Sequence, residues 1–149
     1  MLRHKREIGR EIMPERDVAP PFNHTGVFTI GTGAAGAPSL NAVLTVPANS
    51  STVTGHGLLT QAIHPPLHAN SAFSGMVHVL AFGGSATQIY SLQGTAVPPL
   101  LGAPHVTHLL ITLDGIWGKE GKATYFYVVG SGSHEIKDVP VKVRWLPQE

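Results

Sequence analysis

Val139-Pro140-Val141-Lys142-Val143-Arg144-Trp145 puts Val139, Val141, Val143 and Trp145 on one side of an extended chain and Lys142 and Arg144 on the other. Side chains alternate across a strand with period two, so this segment predicts a half-buried β-strand rather than a helix. The same alternation recurs along the chain. It predicts further strands over residues 25–31, 40–46, 52–61, 73–82, 86–95, 106–113 and 122–129. In the second of these, Leu40, Ala42, Leu44 and Val46 share a face, with Asn41, Val43 and Thr45 on the other. Seventeen Gly and twelve Pro fall largely between the alternating runs, as expected of short strands joined by tight turns. The expected fold class is all-β, a single antiparallel β-sandwich of about eight strands. Segment 73–82 is apolar on both faces, with Val77 and Val79 against Met76, Leu80 and Phe82, and so belongs in the middle of a sheet.

Charge divides the chain differently. Residues 18–113 contain no Asp, Glu, Lys or Arg, and their titratable side chains are seven histidines and Tyr90. About a quarter of the residues in an ordinary soluble domain are charged, so this body must meet water through Ser, Thr, Asn, Gln, His and backbone. The first 17 residues hold nine charged side chains and no apolar run. They read as a charged, disordered tail (1–21) ahead of the β-domain (22–149), and not as a secretory signal. A cytoplasmic location is the default expectation. A formal charge of +1 with no basic stripe removes the main attraction for nucleic acid, which is not an expected partner. No apolar run reaches the roughly 18 residues of a membrane-spanning helix.

Several chemical motifs fail on inspection. Gly31-Thr32-Gly33-Ala34-Ala35-Gly36 matches the dinucleotide fingerprint, but that mechanism needs a following helix and an acidic residue about 20 positions on. Pro38 and the alternation from Leu40 give a strand instead, and the next acidic residue is Asp114. Gly121-Lys122 lacks the hydroxyl residue and the preceding glycine of a phosphate loop. His134-Glu135 opens like a zinc-protease motif, but Asp138 occupies the second histidine position and Pro140 stops the helix. Triad or two-carboxylate hydrolysis needs carboxylates near its partners, and inside the domain only Asp114, Glu120, Glu135 and Asp138 are available. No enzyme activity and no cofactor are expected.

Two residue sets remain as candidate sites. His64 and His68 flank Pro65-Pro66-Leu67, a spacing that chelates zinc, nickel or copper when the backbone turns, with His56 as a third ligand. His24 or another chain is an alternative source of that ligand. His105 and His108, if extended, point to opposite faces. Trp117, Tyr125 and Tyr127 cluster in the last third and serve either as core or as an aromatic platform for a sugar or lipid headgroup.

Four phrases carry a family resemblance: Phe28-Thr29-Ile30-Gly31-Thr32-Gly33 through Gly36-Ala37-Pro38, residues 57–66 with Thr60-Gln61-Ala62 and Pro65-Pro66, residues 121–127, and His134-Glu135-Ile136-Lys137-Asp138-Val139-Pro140-Val141. Together they resemble a bacterial domain-of-unknown-function family of small β-sandwich proteins, of Burkholderia and Pseudomonas type, over about residues 22–145. The resemblance implies a fold and a bacterial source, and it brings no catalytic residues.

The expected role is therefore that of a non-enzymatic module acting by self-association or by binding a protein partner. Near-zero charge removes the repulsion and edge protection that keep β-proteins apart. A carbohydrate or membrane-headgroup module is the second class. A histidine-based metal-binding or pH-responsive protein is the third.

Overall fold

A computed structural model describes residues 22–147. The charged segment expected over 1–21 lies outside them. All eight predicted strands are present: β1 (His24–Ile30), β2 (Ser39–Val46), β3 (Thr52–Gln61), β4 (Leu67–Phe82), β5 (Ser85–Ala96), β6 (His105–Asp114), β7 (Glu120–Val129) and β8 (Gly132–Trp145). Each pairs antiparallel with the next.

The sandwich expected from the alternation is not what forms. β1 pairs with β8 through five registered residues, from Gly26 opposite Trp145 to Ile30 opposite Val141, and the sheet closes into an eight-stranded barrel. A sandwich and a barrel both bury one face of each strand, so alternation alone does not separate them. What separates them is whether the first and last strands meet. Closure also removes the centre that β4 was expected to occupy; Met76, Leu80 and Phe82 lie on its outer face and are exposed.

The inward side chains fill the barrel. Phe28, Ile30, Leu40, Leu44, Leu59, Tyr90, Leu109, Ile111, Leu113 and Tyr125 are fully buried, and each large apolar side chain removed from water contributes about 1.5–3 kcal/mol before entropy is counted. Two irregularities keep the inward phase. In β6 the register slips between Val106 and His108, so Thr107 is the extra residue and the inward positions change from Val106 to Leu109, Ile111 and Leu113. In β7–β8 the pairs Ala123–Val139 and Tyr125–Ile136 bracket another slip, where Asp138 takes a φ of 51° and its N–H donates to Thr124 Oγ1 at 3.1 Å. An extra residue moves later side chains to the other face, and bulges tighten the local twist that a small barrel requires.

Glycine supplies the rest of the curvature. Gly75 points inward on β4, where an added Cβ would run into the Ser91 carbonyl oxygen and lie 2.8 Å from Leu92 Cα. Here the neighbouring backbone occupies the place of a side chain.

The alternating course of the strands puts the β2–β3, β4–β5 and β6–β7 connections at one end of the barrel. In the β6–β7 connection Trp117 is half-buried and packs against the core. At the opposite end are residues 31–38, 62–66 and 97–104. The segment 31–36 is a connection between strands, with no helix after it. No helix of the described residues is long and apolar enough to cross a membrane.

Candidate functional site

The outside of the barrel is divided by charge. From the start of β1 to Leu113 in β6 no strand carries Asp, Glu, Lys or Arg; Asp114 ends β6. The strand charges are then concentrated on β7 and β8, as Glu120, Lys122, Glu135, Lys137, Asp138, Lys142 and Arg144. Six adjacent strands thus form a wall of Thr, Ser, Asn, Gln, His and scattered apolar residues, and two form a charged wall. Polar outside and apolar inside is the reverse of the pattern in barrels that cross outer membranes.

The neutral wall is not uniformly polar. Leu58, Met76, Leu80 and Leu110 point outward and are 37–47% exposed, and Phe82 at the β4–β5 turn is 74% exposed. Registration brings most of them together: Met76 stands opposite Ser91, which stands opposite Leu110, and one row on His78 stands opposite Ile89, which stands opposite Thr112. Met76, Leu80 and Ile89 therefore flank His78, and Leu110 and Asp114 each lie one row off and two strands across from it. The two-sided apolar pattern of residues 73–82 was the trace of this patch in the sequence; position in a sheet was the wrong account of it.

The three candidate metal ligands occupy different places. His64 is exposed in the β3–β4 connection, and His68 and His56 project from the outer wall. His68 pairs opposite Thr60, four residues along β3 from His56. At about 3.3 Å per residue that separates the two by roughly 13 Å. No group of three His, Cys, Asp or Glu side chains converges on a metal position among the described residues.

The aromatic platform is also displaced. Tyr125 and Tyr127 face into the barrel and are buried, and Trp117 is half-buried at its closed end. Burial pushes the Tyr90 and Tyr125 hydroxyls far above the ordinary phenol range, Tyr127 adding a Coulombic push to Tyr125, and burial raises Tyr127 as well. These phenols stay protonated and belong to the core.

Trp117 belongs instead to an end cap that the sequence did not reveal. Its ring stacks on His24 at 3.8 Å with the planes 6° apart and meets Trp145 edge-on at 5.3 Å. Trp145 Nε1 donates to the Gly118 carbonyl at 2.9 Å. Below the cap, fully buried Gln88 accepts two hydrogen bonds on Oε1, from the Tyr90 hydroxyl and from the Trp117 N–H, both at 3.0 Å. Gln88 Nε2 and the Tyr125 hydroxyl have no hydrogen-bond partner among the described residues. The buried Gln88 amide thus helps to anchor the β6–β7 connection, together with the Trp145–Gly118 bond, and on β5 it shares the buried phase of Tyr90 and Leu92.

Burial lowers the pKa of His24, against the opposing effect of the hydrogen bond from Nδ1 to the Phe22 carbonyl at 3.3 Å. The unfolded chain therefore takes up this proton before the folded chain does. The neutral stack contributes stability above the ordinary imidazole value of about 6.5, and that contribution is lost as pH falls toward the depressed folded value. The melting temperature should fall on acidification below about pH 6.5, and His24→Phe, which keeps the stack and cannot titrate, should reduce that slope. An unchanged slope in the variant would place the pH dependence elsewhere.

The profile of a family described as a domain of unknown function, DUF1842, matches residues 24–132. The chain belongs to this family. The match runs from the first residue of β1 to the first of β8, so three of the four resembling phrases fall inside it and the one at residues 134–141 lies beyond. No curated protein matches the chain. Membership in DUF1842 brings no residue roles.

Proposed function

We propose that this DUF1842 chain is a non-enzymatic module that acts by association through its uncharged wall, with a copy of itself or with a protein partner. The observation that carries the reading is the confinement of strand charges to β7, β8 and Asp114. Solvated protein surfaces ordinarily intersperse charges of both signs over their whole extent, which keeps copies apart. A wall of six strands without them has no such protection. Its exposed leucines and Met76 supply apolar area to bury, and its Thr, Ser and Asn side chains supply hydrogen bonds for the rim of an interface. Sedimentation velocity over a wide concentration range tests the reading. The expected result is a weight-average mass rising with concentration, or a stable species heavier than one chain. A monomer throughout, with no protein partner recovered on the neutral wall by cross-linking, would overturn it.

A second reading, binding to membrane headgroups, is favoured by one specific feature. At the barrel end opposite the cap, residues 97–104 expose Leu100 and leave Leu101 fully open to solvent, with Ile63 exposed on the neighbouring connection. Liposome co-sedimentation with Leu101→Ser as the comparison checks it. Loss of binding in the variant is expected, and no binding by the parent chain would remove the reading.

A further inference from the structure

We infer that the free edge of β4 at residues 78–82 is the surface by which two copies of this chain pair, strand to strand and antiparallel. This rests on the association reading above and deepens it by naming the contact. β4 and β5 stay paired as far as Phe82 opposite Ser85, but β3 leaves β4 at Thr52 opposite Met76. One further bond, from the Val77 N–H to the Ser51 carbonyl at 2.9 Å, ends the contact on that side. Beyond it the β4–β5 hairpin overhangs the barrel with no strand paired to its β4 edge.

In an antiparallel strand the backbone groups of every second residue point to the same side. Val77 bonds toward β3, so the N–H and C=O of Val79 and Ala81 point the same way, and among the described residues neither a ladder nor a turn bond reaches them. The β2–β3 connection is tied back toward β1 instead, where the Ala48 N–H donates to Asn23 Oδ1 at 2.7 Å. Natural edge strands are kept from pairing by charges, prolines and bulges. A second overhang in the same barrel has all three: β8 runs past its last β1 pair, Ile30 opposite Val141, and there carries Glu135, Lys137, Asp138, the bulge at Asp138 and Pro140. His78-Val79-Leu80-Ala81-Phe82 carries none of them.

Open backbone donors and acceptors at alternate residues select an extended strand as their occupant. A second copy is the strand that leaves nothing open. Two β4 edges related by a two-fold close each other, whereas a single added peptide satisfies this edge and presents a new one on its far side. The register follows from which groups are free. With Leu80 on the two-fold, Val79 of one copy exchanges both backbone bonds with Ala81 of the other, and the reverse. Leu80 then faces its own counterpart in the closely spaced, non-hydrogen-bonded position, and His78 faces Phe82, on the side where Leu80 and Phe82 are exposed.

The chain has no cysteine, so a single introduced thiol reads this register directly. Residues in a non-hydrogen-bonded pair have Cα atoms about 4.5 Å apart, within reach of a disulfide. In a glutathione redox buffer, Leu80→Cys should form the linked dimer at least about tenfold faster than Leu101→Cys, at a fully exposed position on the other end of the barrel. Ala81→Pro removes an N–H that no ladder uses and leaves the β5 pairing in place, which thermal melts check. By sedimentation velocity this variant should associate at least about tenfold more weakly than the parent chain. Should Ala81→Pro lose the barrel, the cysteine comparison decides alone. Equal linkage rates for the two cysteine variants, or undiminished association of a folded Ala81→Pro, would overturn pairing through this edge while leaving association by the neutral wall intact. A parent chain that stays monomeric up to about 1 mM would overturn self-pairing altogether.

Discussion

Gly75→Ala is expected to prevent the barrel from closing, with a loss of more than about 4 kcal/mol, in the range reserved for severe single substitutions. The added methyl would enter the space of the Ser91 carbonyl oxygen and press on Leu92 Cα at 2.8 Å. Neither atom is the free end of a side chain, so relief requires β5 to move away from β4. Those strands form a twelve-residue ladder from Ser71–Ala96 to Phe82–Ser85, and separating them would break hydrogen bonds on both sides of the collision. A natural domain holds only about 5–15 kcal/mol in total, so a substitution of this size leaves little folded protein. Gly84→Ala is the control: an added Cβ there meets nothing within 4 Å, and its cost should stay within about 0.5 kcal/mol. Urea denaturation of the two variants checks the contrast. Equal midpoints would mean that β5 yields easily and that Gly75 is not what sets the curvature.

The same glycines explain how far the sequence can be read. Period-two alternation is a local property, and it located every strand from β1 to β8 because one face of each is buried. Closure is a non-local property. Gly26 meets Trp145 across the seam between β1 and β8, and nothing in the spacing of either segment announces the other. A signal for tight curvature was nevertheless present. In β3 the inward phase reads Val53, Gly55, Gly57, Leu59, so two core positions carry no side chain. Glycine in a core phase marks a close approach of backbone or of a large ring, which a flat two-layer packing seldom needs. The bulges at Thr107 and Asp138 were hidden for a related reason. An inserted residue shifts the phase without changing composition.

The candidate residues divided along the same line. Alternation correctly separated Tyr125 and Tyr127 from Phe126, but it does not say which face is the core. The structure turns the tyrosines inward and leaves Phe126 partly exposed. His64 and His68 were linked by spacing through a proline-containing turn, whereas β4 begins at Leu67 and carries His68 onto the outer wall. The charge-free run of residues 18–113 survives the change from sandwich to barrel without alteration. Whichever way the strands fold, a sector without lysines or carboxylates must appear somewhere on the outside, and the barrel gathers it into adjacent strands. The exterior was therefore more legible than the topology, because it depends on which strands lack charge and not on how the first and last are joined.

Phe73→Ala is the companion test of the interior, with an expected loss of about 3–5 kcal/mol. Phe73 is buried on β4, paired opposite Gly55 on β3 and Gly94 on β5. Added Cβ atoms at Gly57 and Gly94 would each lie 3.0 Å from opposite edges of its ring. The ring therefore covers two strands whose own residues contribute no volume there. Ordinarily a cavity shrinks as neighbouring side chains relax into it, which limits the cost of truncation. Gly57 and Gly94 have nothing to move, and Ala42, the next residue near Gly57, is itself small. The space left by the ring should stay open and the loss should fall at the upper end of the range. Phe73→Leu, which returns most of the volume, should recover more than half of it. Denaturant midpoints at constant slope provide the measurement. A cost below about 2 kcal/mol for the alanine variant would show that the barrel contracts around its glycines, in which case the interior is set by backbone flexibility and not by the fit of this one ring.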